Sequence, residues 1–231
     1  MIRLVFLVVL FAAIRAVLNL ARKWVQRQAA DVDTVAVEYT VISSTPDAPR
    51  PFGYKTGWLA VRTTDSAAVR RALGLKDPVI ANWESGLELA GASGKVFVTP
   101  VLDGFVLVIG VTDLLSGTRR LDAIGRQFPE VQYFVTNRVT EYHGWARYEG
   151  GVCTRRYAWV GESGQVLCND GPLTEQELSL GFARFPVSDR DEAALLPGEE
   201  DVRRLAAAWG VDPNLSRHQD DRSTGYLCTL P

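Results

Sequence analysis

The sequence predicts an α+β protein. An N-terminal hydrophobic helix, residues 1–30, precedes one domain, residues 31–231, in which helices flank an antiparallel or mixed β-sheet. Three observations predict this. Residues 4–14, LVFLVVLFAAI, are apolar without a break between Arg3 and Arg15. Beyond residue 30, runs of alternating apolar and polar residues are joined by Asp-Gly and Gly-Gly turns, which mark hairpins rather than βαβ units. Helical periodicity is confined to short segments between those runs and to one well-marked helix near the C-terminus. With 9 Phe and 6 Trp in 231 residues, the chain holds enough large side chains to build its own core.

In the leader, Leu4, Phe6, Leu7, Leu10 and Phe11 form an apolar stretch that would sit in lipid. From Arg15 onward Asn19, Arg22 and Gln26 recur at helical spacing opposite Val17, Leu20, Ala21 and Trp24, so one helix over about residues 2–28 accounts for both parts. A cleaved signal peptide fits Arg3 and the apolar core. It does not fit the alanines at 12, 13, 16 and 21, which lack a small residue two positions earlier. A spanning anchor needs roughly 20 apolar residues. Leu4 to Leu20 is shorter, but Arg15 can snorkel and Trp24 beside Lys23 suits the interface. An interfacial helix is the third reading. The balance favours an uncleaved anchor, with membrane lipid as the partner of residues 1–28. Four bases follow the apolar core and one precedes it, which keeps the domain cytoplasmic by positive-inside counting. A short tail with Arg3 held inside would export it instead.

The domain's elements follow in order. Residues 34–42, TVAVEYTVI, alternate as a strand; 43–53, with three prolines, is a loop; 54–62 is a second strand. Thr64 caps a short helix over 65–73 that ends at Gly74. Residues 81–90 read as a helical turn. The clearest hairpin is KVFVTPVL-DG-FVLVIG, because Asp103-Gly104 supplies a type I′ turn; Pro100, lacking an N–H, belongs on an edge or at a bulge. A helix over 119–128 turns Leu121, Ile124 and Phe128 inward. A β-meander follows over 131–139, 142–148, 152–160 and 165–168, turning at Gly150-Gly151 and at 161–164. Thr174 with Glu177 is a capping box. Residues 197–213 form a helix with an acidic first turn, i,i+4 pairs Glu199–Arg203 and Glu200–Arg204, and a stripe of Val202, Leu205, Ala206 and Trp209. Residues 225–230 add a last edge strand.

Charge and motifs exclude several functions. Of the 25 bases, five lie in residues 1–30 beside no acid, which leaves 20 bases and 27 acids, a formal −7, for the rest. Such a domain is unsuited to nucleic acid. It suits a basic partner. The 3 Cys are neither a disulfide framework nor a zinc set, and 2 His leave no room for a His-rich metal site. No P-loop and no dinucleotide fingerprint occurs, so no cofactor is expected. A nucleophilic pair of His143 with Cys153 or Cys168 on neighbouring strands competes with their being small buried hydrophobes. No catalytic residue is assigned.

The candidate binding residues are His143, Trp145, Arg147, Arg155, Tyr157 and Trp159, where alternation puts His143, Trp145 and Arg147 on one face of a strand and Arg155, Tyr157 and Trp159 on one face of the next. Trp, Tyr and Arg are the residue types of binding hot spots. They are equally the core and cation–π residues of a sheet.

The stretch from KVFVTPVLDGFVLVIG through FPEVQYFVTNRVTEYHGWARYEGG to LAAAWGVDP resembles a family of uncharacterised bacterial proteins. The likeness is a pattern of Gly, Trp and apolar strands over the middle and end of the domain, and the leader falls outside it. It implies no activity and no catalytic residues; its association is with small bacterial modules that neutralise toxins or mediate interactions. The expected function is a membrane-tethered, non-enzymatic binding protein with a protein partner, an immunity protein against a toxin in its most concrete form. The alternative is a hydrolase-like enzyme whose carboxylates are scattered along the chain.

Overall fold

In the computed structural model, which describes residues 41–112, 114–115, 118–187 and 195–231, the strand-forming runs become nine strands. They are β1 (Gly57–Arg62), β2 (Lys76–Asn82), β3 (Lys95–Leu102), β4 (Phe105–Ile109), β5 (Glu130–Asn137), β6 (Tyr142–Glu149), β7 (Val152–Val160), β8 (Gln165–Asp170) and β9 (Thr224–Thr229). They pair in one sheet of order β2-β9-β3-β4-β1-β5-β6-β7-β8. Every pairing is antiparallel. The described residues fall in one unit, Val41–Pro231. The hydrophobic leader and the expected strand over 34–40 lie outside them; Val41 and Ile42 belong to no strand. Among the described residues, no helix is long and apolar enough to cross a membrane.

Because successive side chains of a strand point to opposite faces, the sheet feeds two cores. One gathers Trp58, Phe97, Phe105, Phe134, Trp145, Tyr157 and Trp159. The other is mostly aliphatic, with Leu59, Val61, Val96, Val98, Val106, Val108 and Val131. Three helices cover the aromatic face: α2 (Trp83–Leu89), α4 (Glu175–Ser179) and α5 (Glu199–Trp209). Two cover the aliphatic face: α1 (Ser66–Ala72) and α3 (Arg119–Gly125). Burying the sheet on both sides is what keeps its central strands apolar on both faces, as in β4, where all five residues are buried.

The Asp103-Gly104 turn forms as expected, with φ of 50° and 82°. Pro100 sits where the β3–β4 register shifts, between Val98 and Val101. The stripe Val202, Leu205, Ala206 and Trp209 is buried against the sheet. Three expectations need correction, and one strand is not expected at all. The cap of α1 is Asp65, whose side chain accepts from the Ala68 N–H, and not Thr64. The residues of β2 carry no strand signal of their own, yet they form an edge. The C-terminal strand β9 lies between β2 and β3, inside the sheet and not at its rim. In α5 the ion pairs run i,i+3, Arg203–Glu200 and Arg204–Asp201. The Glu199 carboxylate instead accepts the Lys55 N–H at 2.6 Å.

Candidate functional site

The six residues singled out in the sequence come together on the aromatic face. Register sets His143 opposite Trp159, Trp145 opposite Tyr157 and Arg147 opposite Arg155. The register is unbroken across these three pairs, and the bulge comes only beyond Arg147, so all six side chains share a face. The Trp145 and Tyr157 rings stack with centroids 4.6 Å apart, and Phe182 and Phe185, after α4, close over them. Five of the six are buried; Arg147 keeps a side-chain exposure of 19%. The cluster is therefore an interior wall of the domain.

At its centre lies a buried ion pair. Arg155 is 2% exposed and Glu177 0%. Arg155 Nε donates to both Glu177 carboxylate oxygens, at 2.8 and 3.1 Å. Trp145 Nε1 donates to Glu177 Oε1 at 2.8 Å, and the Thr174 N–H and hydroxyl donate to Oε2. Arg155 Nη1 donates to Asn169 Oδ1 and to the carbonyls of Asp170 and Gly171. A buried charge pair is tolerated only when its remaining hydrogen-bonding capacity is met, and here four segments converge to meet it. The sequence shows Glu177 only as a capping residue; its second role depends on a partner 22 residues away.

Further along the same face, Glu130 accepts from Arg62 Nε at 2.7 Å, Gln132 Nε2 at 2.8 Å and Arg147 Nε at 3.1 Å. Burial alone would raise its pKa. The hydrogen bonds from Arg62 and Gln132 and the charge of Arg147 outweigh it and hold the carboxyl below the usual range. His143 Nδ1 lies 2.8 Å from Thr136 Oγ1. Burial lowers its pKa, against the opposing pull of Glu199, Glu141 and Asp201.

The Cys–His combinations weighed in the sequence do not form. His143 is on the aromatic face with Trp145, whereas Cys153 and Cys168 pack against the aliphatic core. The sheet stands between them. Burial pushes the Cys168 thiol up to about 11, away from the thiolate a nucleophile needs. Cys168 lies opposite Ala158, not Tyr157 as the turn alone suggests, because a register shift separates Ala158 from Trp159.

Two surface features remain. A cavity of about 470 Å³ opens where the β5–β6 and β7–β8 turns meet the entry to β1. Val135, Tyr142, Val160 and Leu167 contribute its apolar walls, and Lys55 and Glu162 stand among its polar residues. Its lining holds no histidine or cysteine. The second feature is electrostatic. The helices over the aromatic face carry Glu84, Glu88, Glu175, Glu177, Glu199, Glu200 and Asp201 against Arg203 and Arg204. Those over the aliphatic face carry Arg70, Arg71, Arg119 and Arg120 against Asp122. The helices of the one layer are thus net acidic and those of the other net basic. Glu88 and Glu175 are exposed and without an ion-pair partner among the described residues.

No group of three or more His, Cys, Asp or Glu side chains suited to a metal ion occurs among the described residues. These features define the class of the domain: an antiparallel sheet between two helical layers of opposite charge. Comparisons with protein-family models, with curated proteins and with solved structures found no match.

Proposed function

We propose that the chain is a non-enzymatic binding protein, tethered to a membrane by residues 1–28 with its domain on the cytoplasmic side, and that the layer formed by α2, α4 and α5 receives a basic protein partner. An immunity protein that neutralises a toxin is the concrete form of this reading. The observation that carries it is the excess of exposed acids on that layer, where Glu84, Glu88, Glu175 and Glu200 face solvent and only Glu84, with Arg50, and Glu200, with Arg203, are in ion pairs. Complementary charge of this kind speeds encounter and rejects wrong partners. The test is capture of the partner from source cells on the full chain. Capture should survive the combined change Cys153→Ala, Cys168→Ala and His143→Gln in a folded protein. It should fall with Glu84→Lys, Glu88→Lys and Glu175→Lys. Loss of all activity in the first variant while folded would displace binding by catalysis.

The cavity favours a second reading, a hydrolase-like enzyme working at the turn end of the sheet. Its volume lies within the roughly 300–1,000 Å³ of small-molecule sites. Leu167→Arg, at an exposed position on its wall, would abolish activity on that reading and leave partner capture intact on the first.

A further inference from the structure

We infer that the helical layer over the aliphatic face, α3 above all, is a docking surface for an anionic lipid bilayer; this rests on the membrane tether proposed above. Arg119, Arg120 and Arg126 are exposed, and none has a carboxylate partner among the described residues. They border a broad, shallow concavity of about 900 Å³. The one acid of α3, Asp122, lines the same concavity, where one of its carboxylate oxygens accepts from the Tyr148 hydroxyl at 2.5 Å. That bond reaches through the aliphatic core, so it fixes which side of α3 faces out. On α1, Arg71 is exposed and pairs with Asp65 across 3.4 Å, while Arg70 lies over the Tyr226 ring.

Unpaired arginines are unexpected on a domain with an excess of acids. Among the described residues, they form no ion pair. The phosphates and carboxylates of an anionic leaflet would supply the opposing charge. The acidic layer lies on the other side of the sheet, so docking through α3 would leave it facing the aqueous phase, free for a protein partner. A uniformly acidic domain would be repelled by the same surface.

The test uses the full chain in lipid nanodiscs of phosphatidylcholine alone or with phosphatidylserine, footprinted with an arginine-specific reagent and read by mass spectrometry. Arg119, Arg120 and Arg126 should be protected only in the anionic discs, and raised salt should remove the protection, because exposed charges are screened beyond about 10 Å at 0.1 M. Arg204, exposed on the acidic layer, should react equally in both. The pair Arg119→Glu and Arg120→Glu, which touches no buried contact, should restore the reactivity of Arg126 in anionic discs. Equal reactivity of the three arginines in both lipids overturns the docking while leaving the tether standing. So does protection of Arg204 in their place. Failure of the full chain to enter discs of either kind overturns the tether, and the docking with it.

Discussion

On β1, Trp58 and Ala60 enter one core while Leu59 and Val61 enter the other, and the division repeats along β4, where Phe105, Leu107 and Ile109 oppose Val106 and Val108. The two faces of one sheet therefore use different chemistry to reach the same burial. The aliphatic face is closed mainly by shape; Tyr133 and Tyr148 are its fully buried aromatics, Tyr133 Oη donating to the Val111 carbonyl and accepting from the Leu114 N–H, and Tyr148 Oη donating to Asp122. The aromatic face carries rings whose indole N–H groups need acceptors, and it buries Glu130, Gln132, His143, Arg155, Glu177 and Arg203 beside them. The difference teaches that polar groups are buried beside tryptophans and are met unevenly: Trp145 Nε1 reaches Glu177, while Trp159 Nε1 has no partner among the described residues. A residue list that looks like a binding hot spot is then what a structural network also looks like from the sequence.

The largest expected effect breaks that network. Glu177→Ala leaves Arg155 charged and buried, and should cost about 3–5 kcal/mol in urea melts. The pair Arg155→Met and Glu177→Leu should cost less than Glu177→Ala alone, because no charge is stranded. A double variant less stable than the single one would mean that the network's worth lies in Trp145 and Thr174, and not in the charge pair.

A second comparison sets the two faces side by side at matched glycines. A Cβ on Gly86 of α2 would lie 2.3 Å from the Phe97 ring, and one on Gly125 of α3 would lie 2.3 Å from the Tyr148 ring. Gly86→Ala and Gly125→Ala should each cost about 1–3 kcal/mol through overpacking. Gly125→Ala should be the worse, because the hydrogen bond to Asp122 holds Tyr148 in place. Equal melting shifts for the two would show that the anchor does not restrain the ring.

Smaller still is the loss at the first turn of α5. Glu199→Ala removes the acceptor of the Lys55 N–H and should cost about 1 kcal/mol, the usual worth of one hydrogen bond. The two histidines should divide by pH with modest amplitude. The neutral form of His143 is favoured by burial, so its contribution is full above pH 6.5 and is lost as pH falls below it. For His218, burial lowers the pKa, but Asp221 and Asp103 at its two ring nitrogens outweigh that and raise it. Its contribution is full below 6.5 and is lost as pH rises through the raised value. Melts between pH 5 and 8 should show His143→Gln less sensitive to acid and His218→Gln less sensitive to alkali; the reverse assignment would contradict both environments.

Local chemistry made part of this legible in the sequence. Asp103-Gly104 specifies its hairpin within two residues, the meander from β5 to β8 follows from short turns, and the stripe of α5 names its buried side by periodicity alone. Elements defined from a distance were not legible. The residues of β2 include Pro78 and a positive φ at Asp77, and only pairing with β9, about 150 residues on, makes them a strand. The same pairing carries β9 from the expected rim into the sheet. At the candidate site, alternation brought the six residues onto one face. Their burial followed from Phe182 and Phe185, and the Arg155–Glu177 bond from a segment beyond β8, which no local pattern connects to β7. The segregation of charge between layers is invisible to a net charge of −2 until each helix is assigned to a face.

That segregation is the centre of the functional proposal, and one measurement reaches it most directly. Association rates of the captured partner are compared for the wild-type chain, for the acidic-layer variant Glu84→Lys, Glu88→Lys and Glu175→Lys, and for the basic-layer variant Arg119→Glu and Arg120→Glu, at low and at physiological salt. The acidic-layer variant should associate at least tenfold more slowly at low salt, within the roughly 10–10³-fold range of electrostatic steering, and the difference should shrink as salt rises. The basic-layer variant should keep the wild-type rate. Equal rates for all three proteins, or a loss confined to the basic-layer variant, would contradict the assignment of the partner to the acidic layer.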